Sequence, residues 1–107
     1  MKYELRLTKA AAADLDNIYE YIIEQFGKKV ADKSIKKIVL AYKSLEDFPK
    51  KGHASSERLF IVPADYYFLT LEQNTIFYRF NNEAVIILRI FDNREDFTAK
   101  VIKHWKS

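Results

Sequence analysis

The 107-residue chain contains no cysteine, two glycines, two prolines, one tryptophan and two histidines. Without cysteine there is no disulfide framework, no thiolate nucleophile and no cysteine-based zinc site. His53 and His104 stand far apart, with neither a His-x-x-x-His spacing nor a carboxylate-rich loop, so no metal site is expected. A glycine-rich phosphate cradle and a Gly-x-Ser-x-Gly nucleophile are also missing, and we expect no cofactor. No apolar run approaches the length of a bilayer span, and the N-terminus alternates charged with apolar residues, unlike a signal peptide. These absences lead us to expect a cytoplasmic protein with no membrane partner.

What is present is globular: 49% hydrophobic and 31% charged residues, enough for a single domain spanning 1–107 with its own core. The net charge of +3 permits an acidic partner without requiring one. Its distribution is uneven, because residues 28–51 carry eight lysines against three acids. The plainest reading of that excess is a solvated helix face.

Residues 2–7 alternate, with Tyr3, Leu5 and Leu7 on one side, and read as a strand. Thr8 is a candidate N-cap for a helix whose stripe is Ala11, Leu15, Ile18, Tyr19, Ile22 and Phe26, with Asp14 and Asp16 placed toward the positive end of its dipole. Gly27 is suited to end it. A second stripe of Ala31, Ile35, Ile38, Tyr42 and Leu45 follows at once and closes at Phe48-Pro49, which predicts an antiparallel helical hairpin. Residues 50–57 read as a polar, mobile turn, 58–62 as a short extended run, and 66–71 as a strand with Tyr67, Leu69 and Leu71 opposite Tyr66, Phe68 and Thr70. The spacing of Phe97, Val101, Ile102 and Trp105 predicts a short C-terminal helix. The expected fold class is α+β: an N-terminal strand, a helical hairpin packed on one face of a curved antiparallel sheet of three to four further strands, and a small terminal helix.

Runs 75–80 and 84–91 form the most informative stretch, a β-hairpin around Asn81-Asn82-Glu83, where asparagine tolerates positive φ. Arg79 and Arg89 interrupt its strands, and Arg94 follows in a polar corner. A three-residue loop would place Phe77, Arg79, Ile87 and Arg89 on one face and Ile76, Tyr78, Ile86, Leu88 and Ile90 on the other. A two-residue loop would separate the arginines. We expect the three-residue form, with the apolar face under the helices and the arginine face partly open.

Four stretches, AAADLDNIYEYIIEQFG (11–27), the closure Leu45, Pro49 and Gly52, IFYRF (76–80) and ILRIFDNRED (87–96), occur in the order shown by the RelE/ParE superfamily of toxins from bacterial type II toxin-antitoxin modules, which the chain resembles. Asp14, Leu15, Ile18, Tyr21, Phe26 and Gly27, with the Phe-Tyr-Arg and Leu-Arg-Ile strands, lean toward its ParE branch. That resemblance implies a plasmid-stabilisation type of toxin that arrests growth by inhibiting DNA gyrase and is neutralised by a cognate antitoxin, in a higher toxin-antitoxin oligomer. Its target contacts would be Arg79, Arg89, Arg94 and Lys100. The antitoxin would lie on Leu15, Ile18, Ile22, Lys33, Lys37 and Tyr66.

The alternative implied by the RelE branch is ribosome-dependent mRNA cleavage, a metal-independent endoribonuclease reaction. It requires a proton acceptor, a proton donor and cations for the phosphorane. Arg79 and Arg94 would hold phosphate, Tyr66, Tyr67 or Phe77 would stack a base, and His53 or His104 would shuttle a proton. Against it, residues 66–73 carry no lysine and no tyrosine follows Asn93. Each candidate also has a structural reading, and for Arg89 that reading is a pair with a buried carboxylate. A relative that keeps antitoxin binding without toxicity is the third reading.

Overall fold

The computed structural model describes residues 3–54 and 66–93. Strand β1 (Glu4–Leu7) leads into helix α1 (Lys9–Phe26) and helix α2 (Lys28–Lys43). Two single 3-10 turns, Ser44–Glu46 and Pro49–Lys51, follow, then β2 (His53–Ala54), β3 (Tyr66–Thr70), β4 (Asn74–Phe80) and β5 (Ala84–Asp92). The sheet order is β1-β5-β4-β3-β2. β1 pairs with β5 in parallel while the other pairings are antiparallel, so the sheet is mixed rather than wholly antiparallel. A parallel partner needs a long crossover, which the remainder of the described chain supplies. The expected extended run at 58–62 and the C-terminal helix lie outside the described residues, whose helices include none long and apolar enough to cross a membrane.

Thr8 caps α1: its Oγ accepts from the Ala11 amide at 3.1 Å. Gly27, at φ 89°, ends α1 by donating to the Ile23 carbonyl and starts α2 by accepting from the Ala31 amide. A positive φ at a one-residue link favours glycine, and the two helices fold back on each other there. Their inward stripes cover one face of the sheet, where Ala11, Ile38, Tyr42, Leu45, Leu69, Ile76, Tyr78, Val85, Ile87 and Ile90 form the main core.

The opposite face holds a second cluster, Phe68, Phe77, Leu88 and Phe91, and all four are buried. That corrects the expectation of a partly open face. The hairpin register is also corrected. The Asn81 amide donates to the Ala84 carbonyl, which leaves only two residues at the tip. No described non-glycine residue takes a positive φ; instead the Asn81 side-chain oxygen accepts the amides of Glu83 and Ala84, both at 2.8 Å. A two-residue tip alone would separate the arginines, but pairing slips by one residue between Phe77/Tyr78, so Phe77 faces Arg89 while Tyr78 faces Ile87. Leu88 is the extra residue of that bulge. Ile87 therefore packs under the helices and Leu88 on the far face, the reverse of the expected assignment, with Ile86 packed beside the far cluster.

The described part of the 50–57 stretch is regular rather than a free turn. The Tyr78 hydroxyl donates to the Pro49 carbonyl at 2.7 Å and accepts from the Gly52 amide at 3.0 Å, tying the 3-10 turn and β2 to the sheet. Gly52 lies so close that a Cβ there would sit 2.5 Å from the Phe68 carbonyl oxygen and 2.7 Å from that hydroxyl. Burial pushes the Tyr78 phenol up to about 12, only partly opposed by the Gly52 amide. The folded state thus holds a proton that the unfolded chain releases near pH 10, so this contribution is complete below about pH 10 and lost as pH rises toward 12. We expect chemical denaturation to show an alkaline fall of about 1–3 kcal/mol between pH 10 and 12 that Tyr78→Phe lacks. At neutral pH the same substitution should cost about 1–3 kcal/mol by orphaning two backbone groups. Gly52→Ala should be at least as damaging, because backbone must move.

Candidate functional site

The best-defined polar constellation lies where α1 crosses β5. β1 covers β5 only up to Ile87, so the next backbone groups on that edge need other partners. Thr8 donates its amide to the Ile87 carbonyl and its hydroxyl to the Leu88 carbonyl, and Asp14 accepts the Ile90 amide at 2.8 Å. Asp14 also takes Arg89 in a fork, Nε at 2.8 Å and Nη2 at 2.9 Å. With side chains only 22% and 13% exposed, Arg89 and Asp14 are a part-buried bidentate pair. The carboxylate alternative raised for Arg89 is the one realised, and its guanidinium also lies 5.3 Å from the Phe91 ring centre. This is the structural pair that the sequence raised as the alternative to a surface contact by Arg89. Asp14 is corrected: α1 has no acid in its first turn, and this carboxylate serves the sheet edge rather than the helix dipole.

On the far face of the sheet, aromatic rings run from strand to strand. Tyr66 stacks on Phe77 at 5.4 Å, Phe77 on Phe68 at 5.0 Å, and Phe91 lies 6.4 Å from Phe77. Arg79 is half-buried at the end of this row, its guanidinium 5.5 Å from the centre of the Tyr66 ring. Tyr66 and Phe77, considered as base platforms, are thus packed against each other, and Tyr67 belongs with the opposite core. Among the described residues the row itself is built of apolar rings with Arg79 at its end, a poor setting for a scissile phosphate.

The helical hairpin is different. Leu15 and Ile18 are partly buried against the core, while Lys33 and Lys37 lie on the exposed face of α2. Ile22 and Ile18 join Tyr21 and Phe26 along a cleft of about 560 Å³ between α1 and the β3–β4 turn, rimmed on the sheet side by Asp92 and Asn93. Tyr21 and Phe26 are 42% and 66% exposed, a large apolar area, and of the two the sequence stripe had assigned Phe26 inward. Asn93 was not singled out from sequence. Its amide group bonds the Leu71 carbonyl, its own backbone amide reaches Gln73, and its side-chain oxygen accepts from Thr75, so it clamps the β3–β4 turn. No local sequence signal marks it, because its partners are about twenty residues away.

Arg94, Lys100 and His104 lie outside the described residues, as does the side chain of His53. What the described residues bring together is an aromatic sheet face, a locked Arg89–Asp14 pair, and an exposed helical hairpin beside an apolar cleft.

Residues 5–97 match the family model described as ParE toxin of the type II toxin-antitoxin system parDE. The chain is 31% identical over 96 residues to toxin ParE3 of Caulobacter vibrioides, covering 90% of this chain and 92% of that protein. Among solved structures it is similar to the chromosomal ParDE toxin-antitoxin system of P. aeruginosa, with TM-score 0.72, 31% identity, and 85% and 96% of the two chains covered. It shares its fold, at TM-score 0.57 and 19% identity, with the RelBE2 toxin-antitoxin complex of Mycobacterium tuberculosis, covering 87% and 100% of the chains.

Removing either partner of the Arg89–Asp14 pair leaves a part-buried charge and, for Asp14, an orphaned strand amide. Asp14→Ala or Arg89→Ala should cost on the order of 2–4 kcal/mol in urea unfolding. Arg89→Lys should recover only part of that loss, because an ammonium cannot make the fork.

Proposed function

Since the chain belongs to the ParE toxin family of type II toxin-antitoxin systems, we propose that it is the toxin of such a pair, arresting growth by docking on DNA gyrase and held inactive by a cognate antitoxin. The observation that carries a binding role over RNA cleavage is the far face of the sheet. Phe68, Phe77 and Phe91 are buried there at 0–1% exposure, so the surface on which a sheet-borne nuclease would gather its acid, base and phosphate cations is filled with rings. Arg89 is paired with Asp14, and for that reason we leave it out of the proposed target surface. Arg79, at the margin of the aromatic row, and Arg94 and Lys100 in the following segment are the residues we assign to the gyrase contact. Such a target places its action in the cytoplasm.

The hairpin suits the antitoxin. Its cleft presents Ile18, Tyr21, Ile22 and Phe26 to an apolar segment, and Lys33 and Lys37 stand exposed for carboxylates. Leu15 supports this surface from the core, while Tyr66 lies on the sheet against Arg79, away from the lysine stripe of the hairpin.

The purified chain should inhibit negative supercoiling by gyrase in a concentration-dependent way, and Arg79→Ala should weaken this about tenfold or more without loss of the folded state. Unimpaired supercoiling at saturating protein would overturn the gyrase reading, and new cuts within translated codons after induction would replace it with ribosomal cleavage. Lys33→Glu with Lys37→Glu should reduce antitoxin affinity by roughly tenfold at low salt and flatten its salt dependence. Titration calorimetry at two ionic strengths reads both effects.

A further inference from the structure

Both helices of the hairpin bury one stripe and turn the opposite one to solvent, and the two solvent stripes carry opposite charge. On α1 the exposed stripe is Asp16, Glu20 and Glu24, spaced four apart. On α2 it is Lys29, Lys33 and Lys37, also spaced four apart. The one acid of α2, Asp32, is held by Lys28 of the same helix at 2.8 Å and by Tyr19 of α1 at 2.7 Å, so it does not neutralise the lysine stripe. None of the six residues in the two stripes is ion-paired among the described residues.

The heights of these charges match. Counted from Gly27, Glu24 and Lys29 stand three and two residues away, Glu20 and Lys33 seven and six, Asp16 and Lys37 eleven and ten. At ~1.5 Å rise per residue each acid lies within about 1.5 Å of the level of its lysine. The same count sets Leu40 of α2, 59% exposed, level with Ala13 of α1, which is exposed and small. A two-fold axis parallel to the helices, between two stacked hairpins, lays α1 of one copy antiparallel over α2 of the other without changing any height. Each of the three acid–lysine levels then closes twice, and each Leu40 meets the Ala13 of the second copy.

We propose that the outer face of the α1–α2 hairpin is a self-association surface and that its occupant is a second copy of this chain. The face is self-complementary in charge sign, in spacing and in the fit of its exposed leucine. It includes Lys33 and Lys37, so a copy seated there would exclude any antitoxin segment that uses the same lysines. The inference itself rests on neither the gyrase nor the antitoxin reading.

Exposed pairs are individually weak and screened by salt, so the expected dimer is weak, with a dissociation constant on the order of 0.1 mM in low salt. Sedimentation velocity of the isolated chain over a concentration series in 50 mM and 500 mM salt tests it. We expect a monomer–dimer equilibrium weakened at least tenfold in high salt, by Lys33→Glu with Lys37→Glu, and by Glu20→Lys with Glu24→Lys. An equimolar mixture of the two double variants should dimerise again, because each supplies the stripe the other has lost. A chain that stays monomeric up to about 1 mM in low salt would overturn the proposal and leave the matched charges to the single hairpin. So would a dimer that ignores both reversals, or two folded variants whose mixture remains monomeric.

Discussion

The fold depends on how the uncovered edge of β5 is satisfied. β1 is too short to cover its parallel partner beyond Ile87, and a sheet edge under a helix cannot leave amides and carbonyls without partners. Thr8 and Asp14 finish the job from the start of α1. Thr8 is at once the helix cap and a partner of two β5 carbonyls, so the point where the chain turns from strand to helix is also where the helix is fixed to the sheet. Asp14, one and a half turns later, repeats the attachment with a charge-assisted fork to Arg89. The crossing of α1 over β5 is thereby set by hydrogen bonds as well as by the apolar stripe.

From that attachment follows the division of labour between surfaces. The sheet is packed on both faces, by the helices on one and within a buried aromatic cluster on the other, so its interior positions are structural. Tyr78 is part of the same economy: a buried phenol bonded to Pro49 and Gly52 closes the far edge and is too strongly held protonated to act as a base near neutrality. Polar chemistry is left to the margins. The hairpin, by contrast, carries exposed rings beside a cleft and opposite charges on neighbouring helices. These are the surfaces on which the proposed antitoxin or second copy would be bound.

Much of this was legible in one dimension. The 3.6-residue stripes of Ala11 to Phe26 and Ala31 to Leu45, broken by a single glycine at 27, specify two helices and their fold-back, because only one face of each can be buried. The alternation of Tyr67 and Leu69 against Tyr66 and Phe68 specifies the faces of β3, since strand side chains have period two. The absence of cysteine and of clustered ligands removed whole classes of chemistry from the expected functions.

The hairpin faces and the fate of its arginines were not legible, and the reason is physical. Register depends on the number of residues at the tip and on any bulge, and here a two-residue tip set by the Asn81 side chain and an extra residue at Leu88 act in opposite directions on the parity. Both are decided by partners across the sheet rather than by local preference. A carboxylate partner for Arg89 could be raised but not named, because Asp14 lies 75 positions away, and Asp14 looked like a dipole partner because its strand amide lies 76 away. The sequence by itself determined the elements, their buried stripes and the family resemblance, all carried by local periodicity and short motifs. Only the tertiary structure decided which polar groups are spent inside the fold and which remain for a partner, since that depends on contacts between residues the chain brings together from its two ends.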